Sequence, residues 1–158
     1  EFKEDYLFCI GLTETFKELM KGYNPKKHLD LLFESLCSST NFVANEIREI
    51  SQKSQEEYKD KSSNEILKLL KEKNNSKLYP SRILNLGMYI LISNAQDLKE
   101  KKESEINKII ASIFEDLNLS TTKAEKDIGI YKSSITKLAQ AKELIEELRI
   151  KDKEKEKK

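Results

Sequence analysis

The chain is poor in the residues that build tight turns and reactive sites: four glycines, two prolines, two cysteines, one histidine and no tryptophan in 158 positions. So few Gly and Pro cannot supply the many turns of a sandwich or barrel, which excludes an all-β fold. His28 is the single histidine, and Cys9 and Cys37 stand far from C-x-x-C spacing, so a zinc cluster has no ligand set here. Both cysteines lie in apolar stretches and read as small buried hydrophobes in a reducing compartment. An excess of one charge is lacking too: 29 Lys and Arg stand against 28 Asp and Glu, without the basic surplus that neutralises phosphates, so nucleic acid is excluded as a partner. The longest nearly apolar run, Ile83 to Ile92, falls far short of the roughly 20 residues that span a bilayer. The chain begins at Glu1 with neither Met nor a leader pattern, and upstream residues are expected.

What is present is 37% hydrophobic and 36% charged residues, the balance of helices with one buried stripe and a broad solvated face. Phe8, Leu12, Phe16 and Leu19 mark a first helix that stops near Gly22. Asn24 as N-cap and Pro25 as first helical residue start a second, whose stripe is Leu29, Leu32, Phe33, Leu36 and Cys37. Val43, Ile47 and Ile50 mark a third, whose stripe fades into an exposed or frayed stretch over Ser51 to Lys61. A capping box, Ser62 to Glu65, opens a short helix through Leu70, followed by a loop over Lys71 to Ser76. The apolar run after Pro80 predicts a central helix, and Ile106 to Leu117 a surface helix ending at Asn118. From a second capping box, Thr122 to Glu125, one long helix runs on, with a coiled-coil-like seam through Ala124, Ile128, Tyr131, Ile135 and Leu138 that Lys142 interrupts and Ile145 and Leu148 resume. The fold class is therefore all-α: a compact multi-helix bundle with a long C-terminal helix. The expected division is a body over 1–120, the long helix over 121–150 packing on and extending from it, and a charged tail over 151–158.

Candidate chemistry is sparse. Gly129 to Ser134 loosely matches a phosphate loop but lacks its first glycine and preceding strand. Gly87 and Gly129, and with them Gly11, are instead expected to permit close helix crossings. His28, beside Lys26 and Lys27 in a first helical turn, reads as a surface or capping side chain. No catalytic, metal or cofactor residue can be assigned. In the tail, Lys alternates with Asp or Glu, which predicts weak attraction to anionic lipid.

Three stretches resemble the thylakoid formation protein family, also called the photosystem II biogenesis family, of cyanobacteria and plastids. FKELMKGYNPKKHLDLLFESLC (Phe16 to Cys37) carries Gly22-Tyr23-x-Pro25-x-x-His28 followed by Phe33 and Leu36-Cys37. RILNLGMYILI from Arg82 is similar to the family's central hydrophobic helix. EKDIGIYKSSITKLAQAKELIEE from Glu125 is similar to its D-L-x-L-Y-x-S-x-L-x-K-x-x-Q-A-x-E segment, with Ser134 where Asn is usual. The family's N-terminal helical segment is missing before Glu1, and the extended tail of plastid members is absent, which leans toward a cyanobacterial source. The resemblance implies a non-catalytic protein of the cyanobacterial cytoplasm or plastid stroma, peripheral to the thylakoid membrane. It also implies a role in photosystem II assembly and repair through maintenance of membrane-bound FtsH-type protease complexes, with no catalytic residue.

The candidate partner-binding residues are Tyr23, His28, Tyr131, Lys132 and Lys137. Capping chemistry already explains Gly22, Tyr23 and Pro25, so a folding role is preferred in that corner. On the long helix a seam serves the fold or a partner equally well. The alternative function is a structural coiled-coil protein pairing with itself or another helix.

Overall fold

A computed structural model of the chain describes residues 5–73, 78 and 80–155, and among these all regular structure is helical. The helices are α1 (Tyr6–Leu19), α2 (Leu29–Ser39), α3 (Ala44–Tyr58), α4 (Ser63–Lys73), α5 (Arg82–Ser93), α6 (Glu103–Asp116) and α7 (Thr121–Lys155), with 3-10 turns at Lys26–His28 and Gln96–Leu98.

The centre is the pair α1 and α5, which cross backbone on backbone. A Cβ on Gly11 would stand 2.0 Å from the Ile83 carbonyl oxygen, and one on Gly87 1.9 Å from that of Leu7. Neither helix could approach so closely if either position carried a side chain. Leu7, Ile10, Leu84, Met88 and Ile92 join Ile110 and Phe114 of α6 and Ala124 and Ile128 of α7 in the larger core. On its other side α1 packs against α3, where Cys9, Phe33, Cys37, Ala44 and Ile47 form a second, smaller core. Clamped from two sides, α1 buries Leu7, Cys9, Ile10, Gly11 and Thr13. The expected stripe of Phe8, Leu12, Phe16 and Leu19 is therefore corrected: the first three are half-buried and Leu19 is 40% exposed.

Helix ends follow local chemistry. Asp5 caps α1 through hydrogen bonds from the Leu7 and Phe8 amides. The Ser62 box forms as expected: the Glu65 carboxylate accepts from the Ser62 amide at 2.8 Å, and the Ser62 hydroxyl accepts from the Glu65 amide. Asn41 and Asn118 take the left-handed conformation after α2 and α6, with φ of 60° and 56°. They let the Phe42 and Leu119 amides fold back onto the Cys37 and Phe114 carbonyls, both at 2.9 Å. The long helix starts one step before the expected box, with the Ser120 hydroxyl accepting from the Lys123 amide.

Three further expectations change. Pro25 does not open α2: its peptide with Asn24 is cis and its backbone extended, and the chain makes a 3-10 turn before α2 begins at Leu29. The polar half of α3 is neither frayed nor wholly exposed, because Ser51, Ser54 and Tyr58 continue the stripe of Ile47 at spacings of four, three and four, and all are buried. Small hydroxyl residues there let α3 lie close against α1. The loop expected from Lys71 is helical as far as Lys73, and residues 74–77 lie outside the described residues.

Candidate interaction surface

Between α1 and α2 the chain turns a corner. Gly22 has φ +81°, a conformation that strains any other L residue, and the Tyr23 amide closes the turn on the Met20 carbonyl at 2.9 Å. The His28 amide then donates to the Pro25 carbonyl at 3.1 Å. This corner and α3 enclose a cleft of about 1100 Å³, with Phe16, Met20 and Phe33 among its apolar lining and Arg48, Gln55 and Glu14 among its polar lining. The Phe16 and Phe33 rings meet edge to face, with centroids 5.0 Å apart. Arg48 places its guanidinium 4.7 Å from the Phe33 ring centroid and donates to Asp30 at 2.9 Å. Gln55 donates to both Glu14 and Ser51 at 3.1 Å.

Beside the cleft, α2 turns an uncharged face outward. Only Phe33 and Cys37 of its expected stripe are buried; Leu31 is 61% exposed, Leu36 41% and Val43, just beyond the helix, 50%. The hydroxyls on this face are satisfied within the helix, since Ser35 donates to the Leu31 carbonyl at 2.8 Å and Ser39 to the Leu36 carbonyl at 2.7 Å. The acids of α2, Asp30 and Glu34, stand on its other flank. In a chain so rich in charge, an exposed Leu and Ser face of this kind is the sort of surface that marks an interaction site.

The candidate residues fall in separate places. Tyr23 is 38% exposed and lines the cleft; His28 is exposed at the start of α2 and its side chain makes no cap hydrogen bond. Tyr131 is half-buried and meets the Tyr89 ring edge to face, 6.3 Å between centroids, and burial raises its phenol, helped by the nearby Glu18 carboxylate. Lys132 donates to Glu103 at 2.6 Å and sits 5.3 Å over the Tyr89 ring. Burial alone would lower its ammonium, but the Glu103 bond and neighbouring charge outweigh that and hold it above its ordinary value. The same bond holds the Glu103 carboxyl below its usual range. Lys137 is exposed farther along α7. The two groups are connected by Lys142, whose ammonium lies 3.2 Å from where a Gly22 Cβ would stand, so α7 reaches the corner. Leu31, Leu36 and Arg48 were not candidates from sequence. Four leucines crowd the first eight residues of α2, but their spacing does not say which of them a neighbour covers.

Cys9 and Cys37 are both free and fully buried. Burial, then the Asp5 charge, pushes the Cys9 thiol up to about 12, and burial also raises Cys37. Asp127 ties α7 to α5 by accepting from Arg82 at 3.1 Å and Asn85 at 2.9 Å. Among the described residues no group of three or more His, Cys, Asp or Glu is arranged to hold a metal ion. Among them, too, no helix is long and apolar enough to cross a membrane.

Known proteins share both this fold and this sequence. A solved structure of Psb29 superposes with a TM-score of 0.79 over 97% of this chain and 77% of that one, at 21% identity, which establishes a common fold. Protein Thf1 of Prochlorococcus marinus (strain MIT 9312) is 76% identical over 155 residues, 98% of this chain and 77% of that protein. Thf1 of Prochlorococcus marinus subsp. pastoris is 63% identical over 158 residues, 100% of this chain and 78% of that one. The family model described as thylakoid formation protein matches residues 1–158, and the chain belongs to that family.

Proposed function

We propose that the chain is a non-catalytic auxiliary factor in thylakoid formation and photosystem II biogenesis and repair, acting at the thylakoid membrane by binding and maintaining FtsH-type protease complexes. Family membership supports the first part. The observation that carries the second is the outward face of α2, where Leu31, Leu36 and Val43 stand uncovered beside hydroxyls already satisfied by their own helix. Such a face loses little on leaving water and gains from an apolar partner surface. Tyr23 and Arg48 at the neighbouring cleft offer an aromatic and a cationic anchor, the residue types that dominate protein contacts. In this reading residues 1–120 are the body that presents the docking face, 121–150 the helix that braces and extends it, and 151–158 a charged tail.

The test is affinity capture from detergent-solubilised thylakoid membranes, using the whole chain and a Leu31→Glu/Leu36→Glu variant. Both positions are exposed, so the variant should melt like the parent. The protease should co-purify with the parent and fall at least tenfold with the variant. Equal recovery by both would move the contact off α2, and recovery by neither would end the protease reading.

A further inference from the structure

The outer part of α7 separates its charges by sign in a way that its linear sequence hides. At 100° per residue, Leu138, Ala141, Leu144, Ile145 and Leu148 fall within one sector of about 120°. Leu144, Ile145 and Leu148 are 58%, 51% and 52% exposed. Lys137 heads the sector, Lys142 and Arg149 border one edge and Lys151 the other, while Glu143 and Glu147 lie farther round on the opposite side and Glu146 stands between, 3.8 Å from the Arg149 guanidinium. The sector ends at Leu148, since the next position in register is Asp152. Lys142, lying over Gly22, marks the side of α7 turned to the body; Leu138 at the start of the apolar sector is half-buried, and from Leu144 onward the sector is exposed.

We propose that residues 137–151 form an amphipathic surface helix that lies on an anionic lipid bilayer, with Leu144, Ile145 and Leu148 entering the interface and Lys137, Arg149 and Lys151 reaching phosphates at its borders. Bases beside the apolar face and acids behind it are the arrangement that anionic lipid attracts. A second copy fits less well, because pairing along this sector brings basic borders against basic borders. The sector is also wider than the narrow seam of a two-stranded coiled coil. The inference stands apart from the protease reading, since lipid vesicles contain no protein.

The experiment is flotation of the whole chain with vesicles of phosphatidylcholine alone and with one part in three phosphatidylglycerol, at low and high salt. Binding should be at least tenfold stronger on the anionic vesicles and weaken with salt. Arg149→Glu/Lys151→Glu and Ile145→Asp/Leu148→Asp should each lose at least tenfold with unchanged melting, whereas Glu143→Gln/Glu147→Gln should bind more tightly. No preference for anionic vesicles, or equal binding by parent and both loss variants, overturns the proposal. Failure on vesicles together with capture of an acidic helical peptide by the same residues would reassign the face to a protein.

Discussion

At the scale of single residues, Gly11, Gly87 and Gly129 all sit inside helices, where each costs about 1 kcal/mol relative to Ala. Only two have a steric reason. Ala at 11 or 87 would drive a methyl into a carbonyl of the facing helix, at 2.0 and 1.9 Å, and the central pair would have to separate. Each of these substitutions should cost about 3 kcal/mol or more. A Cβ on Gly129 meets nothing within 4 Å, so the close crossing expected there does not exist. Gly129→Ala should therefore stabilise by about 1 kcal/mol and raise Tm by about 2–4 °C. Thermal melts of the three variants decide the matter; a lower Tm for the alanine at 129 would mean that the position serves packing after all. The sequence of a helix shows that a glycine is present but carries no information on what stands opposite it, which is why the three could not be told apart by inspection.

At the scale of elements, α4 is held at its start by two carboxylates, only one of which is local. Glu65 closes the box with Ser62, and the Ser62 amide and hydroxyl bonds hold it below its usual range. Asp97, from the turn after α5, accepts from the Ser63 amide and hydroxyl at 2.7 Å each. Burial would raise the Asp97 carboxyl, but those donors outweigh it and the net shift is downward. A carboxyl that holds its proton less tightly when folded contributes stability that is fully present above its unfolded value near pH 4 and is lost as pH falls through the folded value. Asp97→Ala should cost about 1 kcal/mol at pH 7, the worth of a helix cap. Melts from pH 7 down to pH 2 should show the gap to the parent closing in acid; a gap independent of pH would mean that the carboxylate charge contributes nothing. The box was legible because its partners lie three residues apart, whereas nothing in the chain links position 97 to 63. Likewise Phe33 and Cys37 could be read as buried, but not that Leu31 and Leu36 would stay uncovered, because periodicity shows which residues share a face and not how much of that face a neighbour covers.

At the scale of the whole molecule, the two proposed contacts lie on parts that can be separated. The first half of α7 belongs to the core: Ala124 and Ile128 are 2% and 8% exposed, and Asp127 satisfies Arg82 and Asn85. Ending the chain at Ser120 would uncover Ile110 and Phe114 and leave Asn85 without its acceptor, so that form should not fold stably. Beyond Lys142 the described side chains are all exposed, and among the described residues none from Glu143 onward belongs to either core. A chain shortened by residues 143–158 should melt within about 2 °C of the parent, as expected for changes outside the packed core. It should also lose binding to anionic vesicles while still capturing the protease from detergent extracts, because the α2 face and its cleft are intact. Loss of protease capture with vesicle binding retained would exchange the roles of the two surfaces. Loss of both at an unchanged Tm would place a single docking site on the outer half of α7.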